Sequence, residues 1–380
     1  MAGGPSRPSL LFISPIRPRP SGNGLAMRGW EIAQALGRRY EVVVAVPGEK
    51  GVPLRERIRR ALYAKRPQLY TRLYSVPGHW PSEFLSAATN SAACDIVHVF
   101  RHYMAPYAEP YLGKLPCQLD LDESEARTRA KLAALCRRNG QNRQAALLEW
   151  ECAFFRQAER AWLPRFERLF VSSPQEREYL LGLGLGLQPL VLPNSVTVPE
   201  PSDPPPSGTP FTFLFVGNLN YYPNADALRF FVREILPLIR QRTTNRFRVT
   251  IAGAGPGDLR KLLRGVRDVE WLGFAKDLTP YYRESHAVIV PLRAGGGTRI
   301  KIIEAFAHRR PVVATTMGSE GLEVVPGRHF LCADTPVEFA EACIRLMQDP
   351  GSGTRIAAAA FNLVVSRYGS ASLDAVLNRR

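Results

Sequence analysis

Short apolar segments with the pattern of buried strands alternate with helical segments along most of the 380-residue chain. In the first half the apolar segments are residues 10–14, 95–100 and 116–122, and the same alternation resumes at residue 211. Strands that alternate with helices form parallel sheets with helices packed on both faces. The sequence therefore predicts an α/β fold built from doubly wound, Rossmann-like units.

The segment 190–210, LVLPNSVTVPEPSDPPPSGTP, interrupts this alternation once. Its proline density excludes a helix or a central strand and is typical of a linker. We therefore predict two Rossmann-like domains, residues 1–195 and 196–367, and a C-terminal tail or helix, 368–380, that can pack back on the first domain. In such folds ligands bind at the carboxyl ends of the strands, so a cleft between the two sheets is the expected site.

Composition excludes several classes of protein. Hydrophobic content of 45% and charged content of 22% are values of a globular chain. No apolar run approaches the roughly 20 residues that span a bilayer, and the first apolar segment is too short for a signal peptide. The six cysteines form no CxxC pair, so neither a zinc site nor a disulfide framework is indicated. We expect a cytoplasmic protein.

The net charge of +16 favours an anionic partner: nucleic acid, an anionic membrane face or a phosphorylated substrate. Nucleic acid is the weakest of the three, because no helix-turn-helix, zinc-finger or RNP pattern occurs. Residues 55–74 form a basic amphipathic segment. This segment either rests on the inner face of a membrane or covers its own domain as a solvated helix.

The strongest local pattern is PLRAGGGTRIKIIEAFAHRRPVVAT, residues 291–315, in which a glycine triplet separates a strand from a helix. Gly296 and Gly297 precede a predicted helix that opens with Thr298, Arg299 and Lys301. Glycines before a helix let backbone N–H groups approach an anion. Cations oppose the helix dipole there unless a phosphate or diphosphate occupies the turn. The next acid, Glu304, can then accept ribose hydroxyls.

Other loops that follow strands supply further candidates, each with an alternative. Ser21, Gly22, Asn23 and Gly24 either cradle a phosphate or admit an acceptor, or they form a simple turn. Gly217 and Asn218 occupy the matching place in the second half, where Tyr221 and Tyr222 either face the site or pack beneath the loop. IAGAGPG, residues 251–257, lacks the acid that a dinucleotide fingerprint requires, so a tight turn is favoured.

Three acids and one histidine lie after strands. Asp120 and Asp122 alternate along a strand, so only one is expected to face the site, where it would orient a hydroxyl or assist an acceptor. A helix-capping role is the alternative. His102 is either a substrate contact or an exposed loop residue. Glu320 is either a contact to the donor or an acid at a helix start.

Together these motifs resemble the GT-B glycosyltransferases of family 4, the retaining group-1 class. The resemblance is carried by FVGNLNYYPNADAL, IAGAGPG, VEWLGF, the glycine-triplet segment and EGL, and more weakly by SGNG and VLPN in the first half. It implies a GT-B fold and transfer of a sugar from a nucleotide-diphosphate donor with retention. The acceptor would be a glycan, a lipid-linked molecule or a small molecule, and no metal or other cofactor is expected.

The resemblance also implies roles for individual residues. Glu304 matches the second acid of the family's E-x7-E motif and would hold the ribose, whereas Gly296 stands where the first acid belongs. Phe274 would flank the base. The Arg and Lys that usually follow the first strand of the second domain are absent, so Arg299 and Lys301 would stabilise the diphosphate. A catalytically silent nucleotide-sugar-binding or scaffold protein is the alternative.

Overall fold

The computed structural model describes residues 7–22, 24–46, 94–200 and 203–377. Asn23 and the basic segment 55–74, both singled out from the sequence, lie outside the described residues. The chain divides into two compact units. The first runs to Pro193 and includes the chain from Leu373 onward, and the second is Asn194–Ser372.

The first unit is a parallel sheet flanked by helices. Its described strands are β1 (Ser9–Ile13), β2 (Glu41–Ala45), β3 (Ile96–Phe100), β4 (Cys117–Asp122), β5 (Arg168–Val171) and β6 (Leu190–Val191). They pair in the order β2-β1-β3-β4-β5-β6. The helices are α1 (Gly24–Gly37), α2 (Glu125–Arg138), α3 (Asn142–Trp162) and α4 (Pro174–Leu181), with 3₁₀ turns at His102–Ala108 and Leu163–Arg165. Every residue of β3 is buried, as expected of a central parallel strand.

Helices α2 and α3 of the first unit form a hairpin. Gly140 lies between α2 and α3 with φ +72°, a backbone conformation that glycine adopts without steric cost. Ion pairs then join the two helices, Arg129 to Glu151 at 2.7 Å and Arg137 to Glu149 at 2.7 Å. The turn residue therefore determines that the chain reverses here.

The second unit repeats the architecture. Its described strands are β7 (Phe211–Val216), β8 (Phe247–Ala252), β9 (Val269–Gly273), β10 (Ala287–Val290), β11 (Val312–Ala314) and β12 (Leu331–Cys332). Its helices are α5 (Tyr222–Phe230), α6 (Leu236–Arg242), α7 (Gly257–Leu263), α8 (Thr279–Glu284), α9 (Ile300–Ala307), α10 (Thr316–Ser319), α11 (Pro336–Gln348) and α12 (Pro350–Leu363). Two π-helical turns, Phe231–Ile235 and Val364–Tyr368, follow α5 and α12. The last helix, α13 (Ser370–Leu377), buries Leu373 and Leu377 in the core of the first unit.

The strand order of the second sheet locates its ligand-binding edge. The order β12-β11-β10-β7-β8-β9 reverses direction between β10 and β7. Ligands of open parallel sheets bind outside the carboxyl ends of the strands at such a switch point. The loops that leave these two strands contain Gly217 and the glycine triplet. The predicted α/β fold with two parallel sheets is confirmed.

Within the described ranges, none of the helices combines the length and the apolar composition that crossing a bilayer requires.

Candidate functional site

The glycine triplet forms a loop that Arg299 holds in place. Gly295 and Gly297 have φ of +141° and +63°, which side chains rarely tolerate. The buried Arg299 guanidinium donates to the carbonyl of Gly296, to the carbonyl of Gly297 at 2.7 Å and to that of Met317 at 3.3 Å. Helix α9 begins only at Ile300. Arg299 therefore cross-links the loop to α10, and its guanidinium is not an open phosphate ligand in the first helical turn as the sequence suggested.

Lys301 points its ammonium toward uncharged groups. Its Nζ donates to the Asn224 side-chain oxygen at 2.8 Å and lies 5.6 Å from the centre of the Phe215 ring. Burial and, to a smaller extent, the charge of Arg299 lower the Lys301 pKa to about 7, and Glu304 opposes the shift. No ion pair between described residues includes this lysine. Because the charge of Glu304 offsets the burial of this ammonium only in part, an anionic ligand would stabilise it.

Glu304 lies one helical turn after Lys301 on α9. The Tyr282 hydroxyl donates to its Oε2 at 3.3 Å. Burial raises the Glu304 pKa to about 7, and the bond from Tyr282 and the charge of Lys301 oppose the shift. Tyr282 is itself held by stacking on His308, with ring centres 4.7 Å apart. The residues predicted to bind phosphate and ribose thus sit together on α9, but as a weakly charged pair rather than as a permanent ion pair.

Two glycines allow the β7 and β8 loops to pass each other. A Cβ at Gly217 would come within 2.9 Å of Asn224 and of the Lys301 Nζ, and a Cβ at Gly253 would come within 1.8 Å of the Gly217 carbonyl oxygen. The Asn218 carbonyl accepts from Asn224 Nδ2 at 2.9 Å. The fold therefore brings Lys301 next to Gly217 and Asn218, although they are far apart in sequence. Sequence reasoning missed Asn224, whose only signal was its position in the loop region after β7.

The other candidates of the second unit lie at loops after its strands. Thr298 is buried and accepts a hydrogen bond from Asn194. Phe274 follows β9 and is 71% exposed, an unusual exposure for a phenylalanine. Glu320 ends α10 and is half-buried. Tyr221 is 43% exposed at the start of α5, so it does not pack beneath the loop.

In the first unit, Ser21, Gly22 and Gly24 are exposed between β1 and α1. Gly22 has φ +117°, and a Cβ there would meet no atom within 4 Å. The backbone of this turn is therefore accessible to a ligand.

The two aspartates at the carboxyl end of β4 are paired with arginines. Arg28 donates to Asp120 at 2.9 Å, and Arg101 to Asp122 at 2.8 Å. Arg101 also bonds Glu125 at 2.5 Å. Burial raises the Asp120 pKa and Arg28 opposes this shift. Neither aspartate stands as a free acid, so Asp122 is a member of a buried ion network rather than an open catalytic group.

His102 is enclosed rather than exposed. Its side chain is 2% exposed, and its ring packs against Phe155 with centres 6.3 Å apart. Burial lowers the His102 pKa to about 4, so the imidazole is neutral at pH 7. In this structure a substrate cannot reach it, which corrects the predicted substrate contact.

In the part of the chain that the structure describes, no three His, Cys, Asp or Glu side chains converge as they would around a metal ion. The cysteines are free thiols.

Comparison with protein families matches residues 210–349 to the model of Glycosyl transferases group 1. A protein described as an uncharacterized 44.6 kDa protein in the cps region of Klebsiella pneumoniae is 27% identical over 166 residues. That match covers 41% of this chain and 42% of the relative, so less than half of either protein is compared. The resemblance inferred from the sequence motifs is confirmed, with its family match in the second unit.

Solved structures share the fold over nearly the whole chain. Sucrose-phosphate synthase from Thermosynechococcus elongatus has a TM-score of 0.68 at 15% identity, covering 98% of this chain and 97% of that one. HepE from Anabaena, solved with UDP and glucose, has a TM-score of 0.65 at 13% identity, covering 97% and 98%. The trehalose-6-phosphate synthase OtsA has a TM-score of 0.67 at 14% identity, also covering 97% and 98%. At these identities the similarity shows the GT-B fold alone.

Proposed function

We propose that this chain is a glycosyltransferase that transfers a sugar from a nucleotide-diphosphate donor, with the donor held by the second unit. The observation that carries the proposal is Lys301: a largely enclosed ammonium with uncharged partners, at the carboxyl edge of the sheet beside a glycine loop. A diphosphate supplies the negative charge that Glu304, whose pKa is raised to about 7, supplies only in part. The group-1 family match over residues 210–349 supports the same assignment.

The proposed chemistry centres on the leaving diphosphate. Negative charge grows on it as the glycosidic bond breaks, and a positioned ammonium stabilises that charge more in the transition state than in the ground state. Lys301 takes this role. Arg299 acts on the loop, because its bonds to the Gly296 and Gly297 carbonyls hold the backbone that meets the phosphates.

We assign the remaining donor contacts to residues at the same carboxyl edge of the second sheet. Glu304 accepts the ribose hydroxyls, and Phe274 offers its exposed ring to the base. The other contacts to the donor come from four loop positions of the second unit: Gly217, Asn218, Thr298 and Glu320. We propose retention of configuration and no metal requirement on the strength of the family resemblance.

The acceptor side of the proposal is broader. The exposed residues Ser21, Gly22 and Gly24 of the first unit contact the acceptor, which is a glycan, a lipid-linked molecule or a small molecule. The Klebsiella relative from a cps region and the HepE complex with UDP and glucose support a glycan product and a nucleotide-sugar donor. Peripheral contact with an anionic membrane is a further proposal, supported by the net charge of +16.

A silent nucleotide-sugar-binding protein is the second candidate. It is favoured by Gly296, which stands where the family has an acid, and by Arg299, whose guanidinium is committed to the loop carbonyls. The two candidates share the donor site and differ in turnover.

The decisive experiment screens UDP-, GDP-, ADP- and TDP-sugars by thermal shift and then measures sugar release from the donor that binds. A nucleotide sugar at tens of times its Kd should add about 2 kcal/mol of stability. Lys301→Ala should weaken binding at least tenfold and lower turnover by two or more orders of magnitude, because a central charge on the leaving group is lost. Lys261→Ala, an exposed lysine of α7, is the matched control and should change neither quantity.

Each result has a distinct meaning. Stabilisation with turnover that depends on Lys301 supports the enzyme. Stabilisation without turnover, with any acceptor of a glycan panel, supports the silent protein. Absence of stabilisation by every nucleotide sugar contradicts both.

A further inference from the structure

We infer that Asn224 is a positioning residue that aims the Lys301 ammonium at the diphosphate of the donor without neutralising it. This inference rests on the proposed function and names a residue that the sequence motifs did not single out. Asn224 lies in the first turn of α5, in the strand–loop–helix segment that follows β7.

The orientation of the Asn224 amide is determined by its two partners. Nδ2 donates to the Asn218 carbonyl at 2.9 Å, and Oδ1 accepts from the Lys301 Nζ at 2.8 Å. A flipped amide would place oxygen against the carbonyl and nitrogen against the ammonium, so both bonds would be lost. Asn224 is 8% exposed, which limits water as a substitute partner. The loop after β7 therefore sets where the oxygen that holds Lys301 can be.

The groups around Lys301 confine its ammonium but do not use all of its N–H donors. The Phe215 ring lies 5.6 Å from Nζ, and Gly217 has no room for a Cβ because Asn224 and Nζ would be 2.9 Å away. An ammonium has three N–H donors, and the bond to Asn224 uses one of them. A diphosphate presents several acceptor oxygens to the remaining donors.

An amide rather than a carboxylate at position 224 leaves the positive charge of Lys301 available to a ligand. An aspartate at position 224 would pair with Lys301 and cancel the charge offered to the ligand. The amide holds the ammonium with a neutral oxygen instead. The charged groups that face Lys301 are Arg299, before α9, and Glu304, on α9, while its contacts from α5 and β7 are uncharged. Tyr282, on α8, bonds Glu304 and the Lys301 carbonyl.

The test compares Asn224→Asp and Asn224→Ala with the unaltered chain. Calorimetric titration of UDP, GDP, ADP, TDP and inorganic pyrophosphate is carried out between pH 6.5 and 8.5. In the unaltered chain the affinity should fall as pH rises above 7, by at most about tenfold per pH unit, because Lys301 has a pKa of about 7 and loses its charge. Asn224→Ala should bind about tenfold more weakly at pH 7 and keep this pH dependence.

Asn224→Asp tests the pH dependence of affinity, which would not change if Asn224 had only a structural role. Its carboxylate raises the Lys301 pKa, so the decline in affinity between pH 7 and 8.5 should disappear. The affinity of this variant at pH 7 should be at least tenfold lower than that of the unaltered chain, because the introduced carboxylate already pairs with the Lys301 ammonium. Asn245→Asp adds the same charge at an exposed loop before β8 and should leave both affinity and pH profile unchanged.

The outcomes separate the inference from the proposed function. If the unaltered chain binds none of the five probes, the proposed function fails. If it binds one and Asn224→Asp matches it in affinity and pH profile, the inference is overturned. Should Asn224→Asp not fold, Asn224→Ala decides, and wild-type affinity in that variant overturns the inference.

Discussion

At the scale of residues, the proposed donor site depends on side chains that are absent as much as on those that are present. Lys301 forms no ion pair with an acid among the described residues, and Gly217 and Gly253 lack side chains where backbones approach closely. The two ionisable groups of α9, Lys301 and Glu304, both have pKa values moved to about 7 by burial. Groups of this kind change charge readily on ligand binding, which is why such shifts concentrate at functional sites.

Gly217→Ala should weaken nucleotide binding about tenfold. The new methyl would contact Asn224 and the Lys301 Nζ at 2.9 Å, so the amide and the ammonium must both move. Titration with UDP, GDP, ADP and TDP measures the change. Gly257→Ala is the control, since a Cβ there meets nothing within 4 Å. Equal affinities in the two variants would contradict the close packing described at Gly217.

At the scale of elements, several helix starts are stabilised by short polar contacts, while the candidate site lies on loops and on the first turns of α5 and α9. Ser124 caps α2, and Thr315 caps α10 through Gly318. Pro237 lies at the start of α6, where its missing N–H breaks the ladder, and the preceding turn widens into a π-helix. The helical stretch from Tyr222 to Arg242 is therefore interrupted between α5 and α6.

Thr335→Ala should destabilise the second unit by about 1 kcal/mol. Thr335 and Glu338 form a reciprocal capping box at the start of α11, and the substitution leaves the Glu338 backbone N–H without its acceptor. Urea unfolding measures the loss, and nucleotide affinity should not change. Thr354→Ala, on the surface of α12, removes a hydroxyl that bonds only the Pro350 carbonyl and should be close to neutral. A Thr335→Ala variant as stable as Thr354→Ala would argue against the cap.

At the scale of the whole molecule, the chain has 50 basic and 34 acidic side chains. Part of this charge is compensated inside the first unit, where Arg28, Arg101 and Arg129 pair with buried acids. In the second unit, Arg240 and Arg242 of α6 pair with Asp268 and Glu341 at the surface. A nucleic-acid-binding role predicts a steep salt dependence of binding to arbitrary duplex DNA. Its absence would exclude that role.

Hydrogen–deuterium exchange should map the donor site within the full chain. A bound nucleotide sugar should slow exchange in residues 217–224 and 293–301, because ligand and loop amides order each other. Helix α11 should show little change. The same nucleotide concentration should give no protection in Lys301→Ala. Protection confined to the first unit would move the donor site away from the second sheet.

The sequence by itself determined the α/β class, the parallel sheets and the place of Lys301 and Glu304, since strand–helix alternation and a three-residue helical spacing are local properties. The tertiary structure alone decided which partners these residues have. Asn224 reaches Lys301 across 77 positions because β7 and β10 are neighbours in the sheet. Arg299 donates hydrogen bonds to carbonyls of its own loop, and the aspartates at the end of β4 pair with Arg28 and Arg101. Strand order and burial determine these partners, and no local sequence pattern encodes either of them.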